Sequence, residues 1–170
     1  GRGQKRAEST ETVKNESFVK ESRRFTRVKT RILRVDNEVI REIQHDDVER
    51  CVRVIRDSFL TVAEEFGFTE ENAPRFTAFA TNEQRINWHL NGEHRPMFGY
   101  FENDQLIGYY SLLLQKEQQC ELNNLCVLPE CRHRKIGTEL LEDACRKARN
   151  LNCRIINIGI VEDNTVLRKW

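Results

Sequence analysis

Residues 125–141 constrain this chain more than any others. They read LCVLPECRHRKIGTELL. A short apolar run, 125–128, halts at Pro129. Arg132, His133, Arg134 and Lys135 then form a basic, turn-prone segment, and from Gly137 the apolar residues fall at helical spacing. Strand, basic loop, glycine and helix in succession present backbone N–H groups to an anion. The first amides of a helix have no acceptor within it, and the helix dipole favours negative charge at that end. The stretch reads as a diphosphate cradle, with the rest of the chain arranged to hold it.

Hydrophobic periodicity sets the neighbouring elements. Residues 39–43 alternate as a short strand. Asp46 and Asp47 can cap a helix whose apolar face is Val48, Cys51, Val52, Ile55, Phe59 and Val62, ending before Gly67. Thr69 can cap a short turn, and 82–90 reads as another helix closed by Asn91-Gly92. A meander follows: strand 97–102, an Asn103-Asp104 turn, strand 106–114, a polar turn, and strand 120–128. Past the basic loop, Ile136, Leu140, Leu141, Ala144, Cys145 and Ala148 mark one helical face. Strand 154–161 should then lie parallel to 120–128 through a right-handed crossover. The expected fold class is α/β of a mixed, α+β kind: a mixed, mostly antiparallel sheet with helices on both faces. Asp163-Asn164 opens a further helix. The chain starts at Gly1 and ends at Trp170 inside that helix, so a fragment lacking the last strands of its sheet is expected.

Composition narrows the function classes. A length of 170 residues with 38% hydrophobic content suits one domain. No run of eighteen apolar residues is present, and no apolar stretch follows the charged N-terminus, so neither a membrane helix nor a secretory signal is expected. A net charge of +1 argues against a whole-protein nucleic-acid surface. Residues 1–36 nevertheless carry eleven Lys/Arg against five Asp/Glu, which leaves the remainder at −5. They read as a flexible basic arm before a domain at 37–170. The six cysteines, at 51, 120, 126, 131, 145 and 153, form no CxxC and no zinc-ligand spacing. They read as free thiols of a reducing cytoplasm, with Cys131, beside Arg132 and Arg134, the one placed to favour a thiolate.

The loop lacks the GxxxxGK[ST] of nucleotide triphosphatases and the GxGxxG of dinucleotide folds. Val127-Leu128-Pro129, then Arg132 to Gly137, then Thr138-Glu139-Leu140-Leu141, resembles the acetyl-CoA loop of the GNAT superfamily of N-acyltransferases, whose signature is hydrophobic-x-Pro, Arg/Gln-x-x-Gly-x-Gly/Ala, then a helix. The later segment GIVEDNTVLRKW resembles the family's last strand-to-helix passage, and TVAEEFGFTEENAP resembles a bacterial subgroup. The likeness spans roughly residues 38–170. One position departs from it: Lys135 stands where the signature has its first glycine.

The resemblance implies an acyl-CoA N-acyltransferase fold and a cytoplasmic, metal-free acetyl transfer from acetyl-CoA to a primary amine, of a small molecule or a peptide. Backbone groups of Leu125, Cys126 and Val127 would pair with the pantetheine arm, which requires strand 120–128 to splay from strand 154–161. Amides of Arg132, His133, Arg134, Lys135, Ile136, Gly137 and Thr138 would hold the diphosphate, with charge from both arginines. Asn164 would contact pantetheine or cap its helix. Glu121, on the strand leading to the loop, is the candidate general base; Glu64 and Glu65 stand near the expected acceptor side. The family's usual acid, a tyrosine, would lie beyond Trp170. Two other readings stay open: a CoA-binding regulatory protein without activity, motivated by Lys135, and a nucleic-acid-associated module using the basic arm. A homodimer also stays open.

Overall fold

Central strands buried on both faces build one sheet in the computed structural model, which describes residues 9–14, 38–160, 164 and 169, with residues 9–14 and Glu38 described through their backbone. The strands are β1 (Ser9–Lys14), β2 (Glu38–Glu42), β3 (Met97–Glu102), β4 (Gln105–Gln115), β5 (Gln119–Val127) and β6 (Ile155–Ile160), in the order β1-β6-β5-β4-β3-β2. All neighbours are antiparallel except β5 and β6, which are parallel as the crossover requires. The helices are α1 (Val48–Phe66), α2 (Thr77–Ala80), α3 (Glu83–Asn87, continued by a π turn over Trp88–Gly92) and α4 (Ile136–Asn150).

Two adjacent residues of β4 show why both faces are covered. Tyr110 Oη donates to Asp143 Oδ2 on α4 at 2.6 Å. Tyr109 must therefore face the other way, toward Cys51 of α1. Both tyrosines are fully buried, so the core is continuous through the sheet.

The ends of α1 follow from its sequence. Arg41 donates to both oxygens of Asp47 at 2.7 and 3.1 Å, and Gln44 N–H donates to the same carboxylate at 2.9 Å. Burial alone would raise the Asp47 carboxyl, but these donors and the charges of Arg41 and Arg50 hold it below its ordinary range. At the other end Gly67 adopts φ 66°, a left-handed C-cap that only glycine enters without strain. Asn82 caps α3 by accepting from Arg85 N–H at 2.8 Å. The short α2 has no helical signature of its own. It is held by a second apolar cluster, in which Phe76 packs on Phe59, Phe68 and Phe79.

Residues 9–14, placed by the sequence in a charged arm, form β1 against β6. Alternation there is weak, but Thr10, Thr12 and Val13 suit a strand, and β6 would otherwise leave an open edge. The rest of the expected arm, and most of the expected helix after 163, lie outside the described residues. Among the described residues, no helix is long and apolar enough to cross a membrane.

The π turn buries His89, whose Nδ1 has no hydrogen-bond partner among the described residues. Burial, then the Arg95 charge, lowers its imidazole from 6.5 to about 4. The unfolded chain therefore takes up the proton first. Stability is full above pH ~6.5 and falls as pH drops toward 4. We expect His89 to account for about 1–2 kcal/mol of loss between pH 6.5 and 4.5. Urea unfolding of wild type and His89→Gln across that range should give a shallower decline in the variant; parallel declines would refute the assignment.

Candidate functional site

Strands β5 and β6 run side by side only in part. Their parallel pairing extends from Gln119–Ile155 to Leu122–Ile158. Beyond Leu122, β5 continues to Val127 and β6 to Ile160 without pairing, so the sheet opens between them. A bulge in β5 lies at the same level. The β4–β5 register shifts between Tyr109 and Ser111, and Asn124 takes φ 55°. The extra residue reverses the alternation. Before it, Cys120 and Leu122 face α4; after it, Cys126 faces α1, against Ser58.

The three β5 residues singled out from the sequence lie in this opened part. Leu128 N–H donates to the Ile107 carbonyl at 2.9 Å. In an antiparallel ladder, Cys126 then turns its backbone toward β4, while Leu125 and Val127 turn theirs to the open edge. Burial pushes the Cys126 thiol up to about 12, so it is an inert packing group.

The basic loop follows at once. Pro129 starts a short 3-10 turn ending at Cys131. His133 and Lys135 take φ 62° and 67°, and α4 begins at Ile136. The first bond within α4 is donated by Glu139 N–H to the Lys135 carbonyl at 3.0 Å. The N–H groups of Ile136, Gly137 and Thr138 precede it and have no acceptor inside the helix. Ile136 is buried and anchors the turn, whereas His133, Arg134 and Lys135 are exposed. The combination of an open strand edge, a tight loop and free helix amides can hold an extended chain ending in a diphosphate. Among the described residues, no cluster of His, Cys, Asp or Glu could hold a metal.

Lys135 sits where a glycine would be unstrained. A left-handed lysine costs on the order of 1 kcal/mol or more. We expect Lys135→Gly to stabilise the fold by about 1 kcal/mol and Lys135→Ala to give no such gain, read by urea unfolding. A Gly variant no more stable than the Ala variant would show that the loop relaxes freely around this residue.

The two arginines have protein partners. Arg134 forms a salt bridge with Glu102 of β3. Arg132 reaches inward: Nε donates to the Val127 carbonyl at 3.2 Å, and Nη2 to the Ser58 carbonyl at 2.9 Å and Thr61 Oγ1 at 3.0 Å.

Glu121 lies in the paired part of β5, opposite Leu113 of β4 and Asn157 of β6. Gln115 Nε2 donates to its Oε2 at 3.3 Å. Asn157 in turn donates to the side-chain oxygens of Gln115 and Gln119, each at 3.2 Å. Glu64 and Glu65 are exposed at the C-terminal end of α1. Asn164 is half-buried, four residues past the end of β6. None of the six cysteines forms a disulfide among the described residues.

Sequence reasoning missed the inward reach of Arg132 and a set of hydroxyls on the α1 face. Ser58 Oγ, Tyr109 Oη and Ser111 Oγ are buried without a hydrogen-bond partner among the described residues. Alternation of Tyr109 and Ser111 in β4 was the available signal for the last two.

Known proteins share this fold. Residues 57–170 match the sequence profile of the acetyltransferase (GNAT) family. A search of curated proteins finds no match. Among solved structures, PaiA N-acetyltransferase from Thermoplasma acidophilum, in complex with coenzyme A, superposes with a TM-score of 0.63 at 22% identity, over 78% of this chain and 84% of that one. An N-acetyltransferase from Staphylococcus aureus Mu50 gives 0.62 at 20% identity, over 79% of each chain. A GNAT family acetyltransferase from Brucella melitensis, in complex with acetyl-CoA, gives 0.54 at 16% identity, over 78% of this chain and 80% of that one.

Proposed function

The chain belongs to the GNAT acetyltransferase family, and from that premise we propose that it transfers an acetyl group from acetyl-CoA to the primary amine of a small molecule or peptide by direct attack, in the cytoplasm and without a metal. One observation carries the reading: β5 and β6 part at Leu122–Ile158, and β5 then leads through the basic loop into a helix whose first amides have no acceptor within it. The likeness to solved structures supports the fold, and two of those structures hold coenzyme A or acetyl-CoA.

The proposed roles follow from position. Leu125 and Val127 offer backbone groups to the pantetheine amides along the open edge, as an added strand would find them. Amides of the 132–138 loop and the start of α4 take the diphosphate, aided by the helix dipole. Asn164, four residues past β6, is assigned to pantetheine contact. The bulge at Asn124 interrupts the ladder and leaves backbone donors able to polarise a thioester carbonyl. A neutral amine attacks that carbonyl carbon. The C–N bond forms, the C–S bond breaks, and the electron pair leaves on sulfur. Glu121 takes a proton from the amine, directly or through water.

A second reading, a CoA-binding protein without transfer, draws on the left-handed Lys135 in the cradle. Calorimetry with acetyl-CoA, paired with thiol release across a panel of amines, separates the two. Binding with amine-dependent release supports transfer. Binding without release across the panel supports the second reading, and absence of binding refutes both.

A further inference from the structure

We propose that Arg132 is a positioning residue: it clips the cradle loop to α1, so that the cradle keeps its shape only while α1 is docked. The consequence for cofactor affinity rests on the acetyl-CoA reading above. An arginine in an anion loop would ordinarily aim its charge at the anion. Here the guanidinium points into the protein and places three of its five N–H donors on the carbonyls of Val127 and Ser58 and the Thr61 hydroxyl. Thr61 Oγ1 also donates to the Ser58 carbonyl, at 2.8 Å, so its orientation is fixed. One side chain thus joins the end of β5, the loop, and a helix 71 to 74 residues away in sequence.

The loop needs such an anchor. His133 and Lys135 both hold left-handed backbone angles that residues with side chains avoid. Strained conformations persist only where their surroundings over-determine them. Cys131 N–H donates to the Leu128 carbonyl and Arg132 N–H to that of Pro129, and the Arg134–Glu102 pair lies at the surface. Beside the buried Ile136 side chain, Arg132 ties the loop inward through hydrogen bonds. Because its partners lie on α1, whatever moves α1 also moves the amides that follow the loop.

The clip separates two roles that a simple charge would merge. Lysine keeps the charge of Arg132 but cannot span Val127 and α1 together. Thr61 carries no charge, so removing its hydroxyl can affect an anion only through Arg132. In calorimetry with CoA on the full chain, Arg132→Lys and Thr61→Val should each weaken binding about tenfold. Thr61→Ser, which keeps the hydroxyl, should bind within about twofold of wild type. Arg132→Ala with Thr61→Val should be no weaker than Arg132→Ala alone, and Thr61→Val should leave the salt dependence of binding unchanged. Hydrogen exchange on the unliganded protein reads the clip directly: residues 129–138 should exchange faster in Arg132→Lys and Thr61→Val. Unchanged exchange there, or wild-type affinity in Arg132→Lys, overturns the clip. If wild type takes up no CoA, the acetyl-CoA reading fails and the exchange measurement still decides the clip.

Discussion

Glu121→Gln is expected to lower kcat for acetyl transfer by a hundredfold or more, the usual weight of a general base, with CoA affinity within about twofold of wild type. The side chain is placed by the ladder. Glu121 pairs with Leu113, two and four residues along β4 from Ser111 and Tyr109, so all of them share the face that α1 covers. It also stands one pair before the β5–β6 ladder ends, at the mouth of the opening. Its carboxylate is held by Gln115, and Gln115 by Asn157, in a chain of side-chain amides running across three strands. Such a chain fixes the carboxylate without neutralising it by a cation, and on the proposed reading the thioester carbonyl lies nearby. Steady-state thiol release and CoA calorimetry on the same preparation test the assignment. A kcat within about threefold of wild type would remove Glu121 as the base and turn attention to Glu64 and Glu65. A parallel loss of CoA binding would mean that the residue shapes the opening rather than accepting a proton.

How far the sequence revealed this site depended on the range of the interactions involved. The loop and α4 were legible because their signals are local: Pro129 stops a strand, apolar spacing from Ile136 sets the helix face, and basic residues gather near Asn150 at its end. Gly67 and Asn82 marked helix ends through ordinary capping chemistry. The bulge was not legible. Residues 120–128 read as an unbroken strand, although Asn123-Asn124 contains the non-glycine residue type that most readily enters left-handed backbone. The reversal of alternation at Asn124, which sends Cys126 to α1 and Cys120 to α4, was hidden for the same reason. The partners of Arg132 were out of reach, because Ser58 and Thr61 lie on a helix whose placement only the fold supplies. Short α2 and edge strand β1 owe their conformations to neighbours, the phenylalanine cluster and β6, rather than to a pattern of their own.

Gly108→Val is expected to destabilise the fold by about 2–3 kcal/mol or more and to weaken CoA binding beyond what that loss explains. Gly108 lies on β4, opposite Val127 at the end of β5, on the face covered by α4. A Cβ there would come within 2.8 Å of Leu140 Cδ1, 3.3 Å of the Cys126 carbonyl oxygen and 3.4 Å of Tyr100 Cβ. The Leu140 tip can rotate away, but the carbonyl belongs to the ladder and cannot. A single methyl should therefore be tolerated better than the branched valine, and Gly108→Ala should cost about 1 kcal/mol. The effect on binding has a separate cause. Leu140 is fully buried one turn after Ile136, so its contact with Gly108 sets how closely the first turn of α4 approaches β5. Pushing Leu140 outward lifts the amides of Ile136, Gly137 and Thr138 from the line of the open strand edge. Ile86→Ala supplies the comparison: it opens a cavity of similar energetic cost on α3, a helix that carries no part of the cradle or of the Arg132 clip. Both proteins are to be measured by urea unfolding, then by CoA calorimetry at a temperature where each is folded. Gly108→Val should bind CoA at least about fivefold more weakly than Ile86→Ala at matched stability, with Gly108→Ala between wild type and valine. Equal affinities at matched stability would show that the approach of α4 to β5 does not govern the cradle.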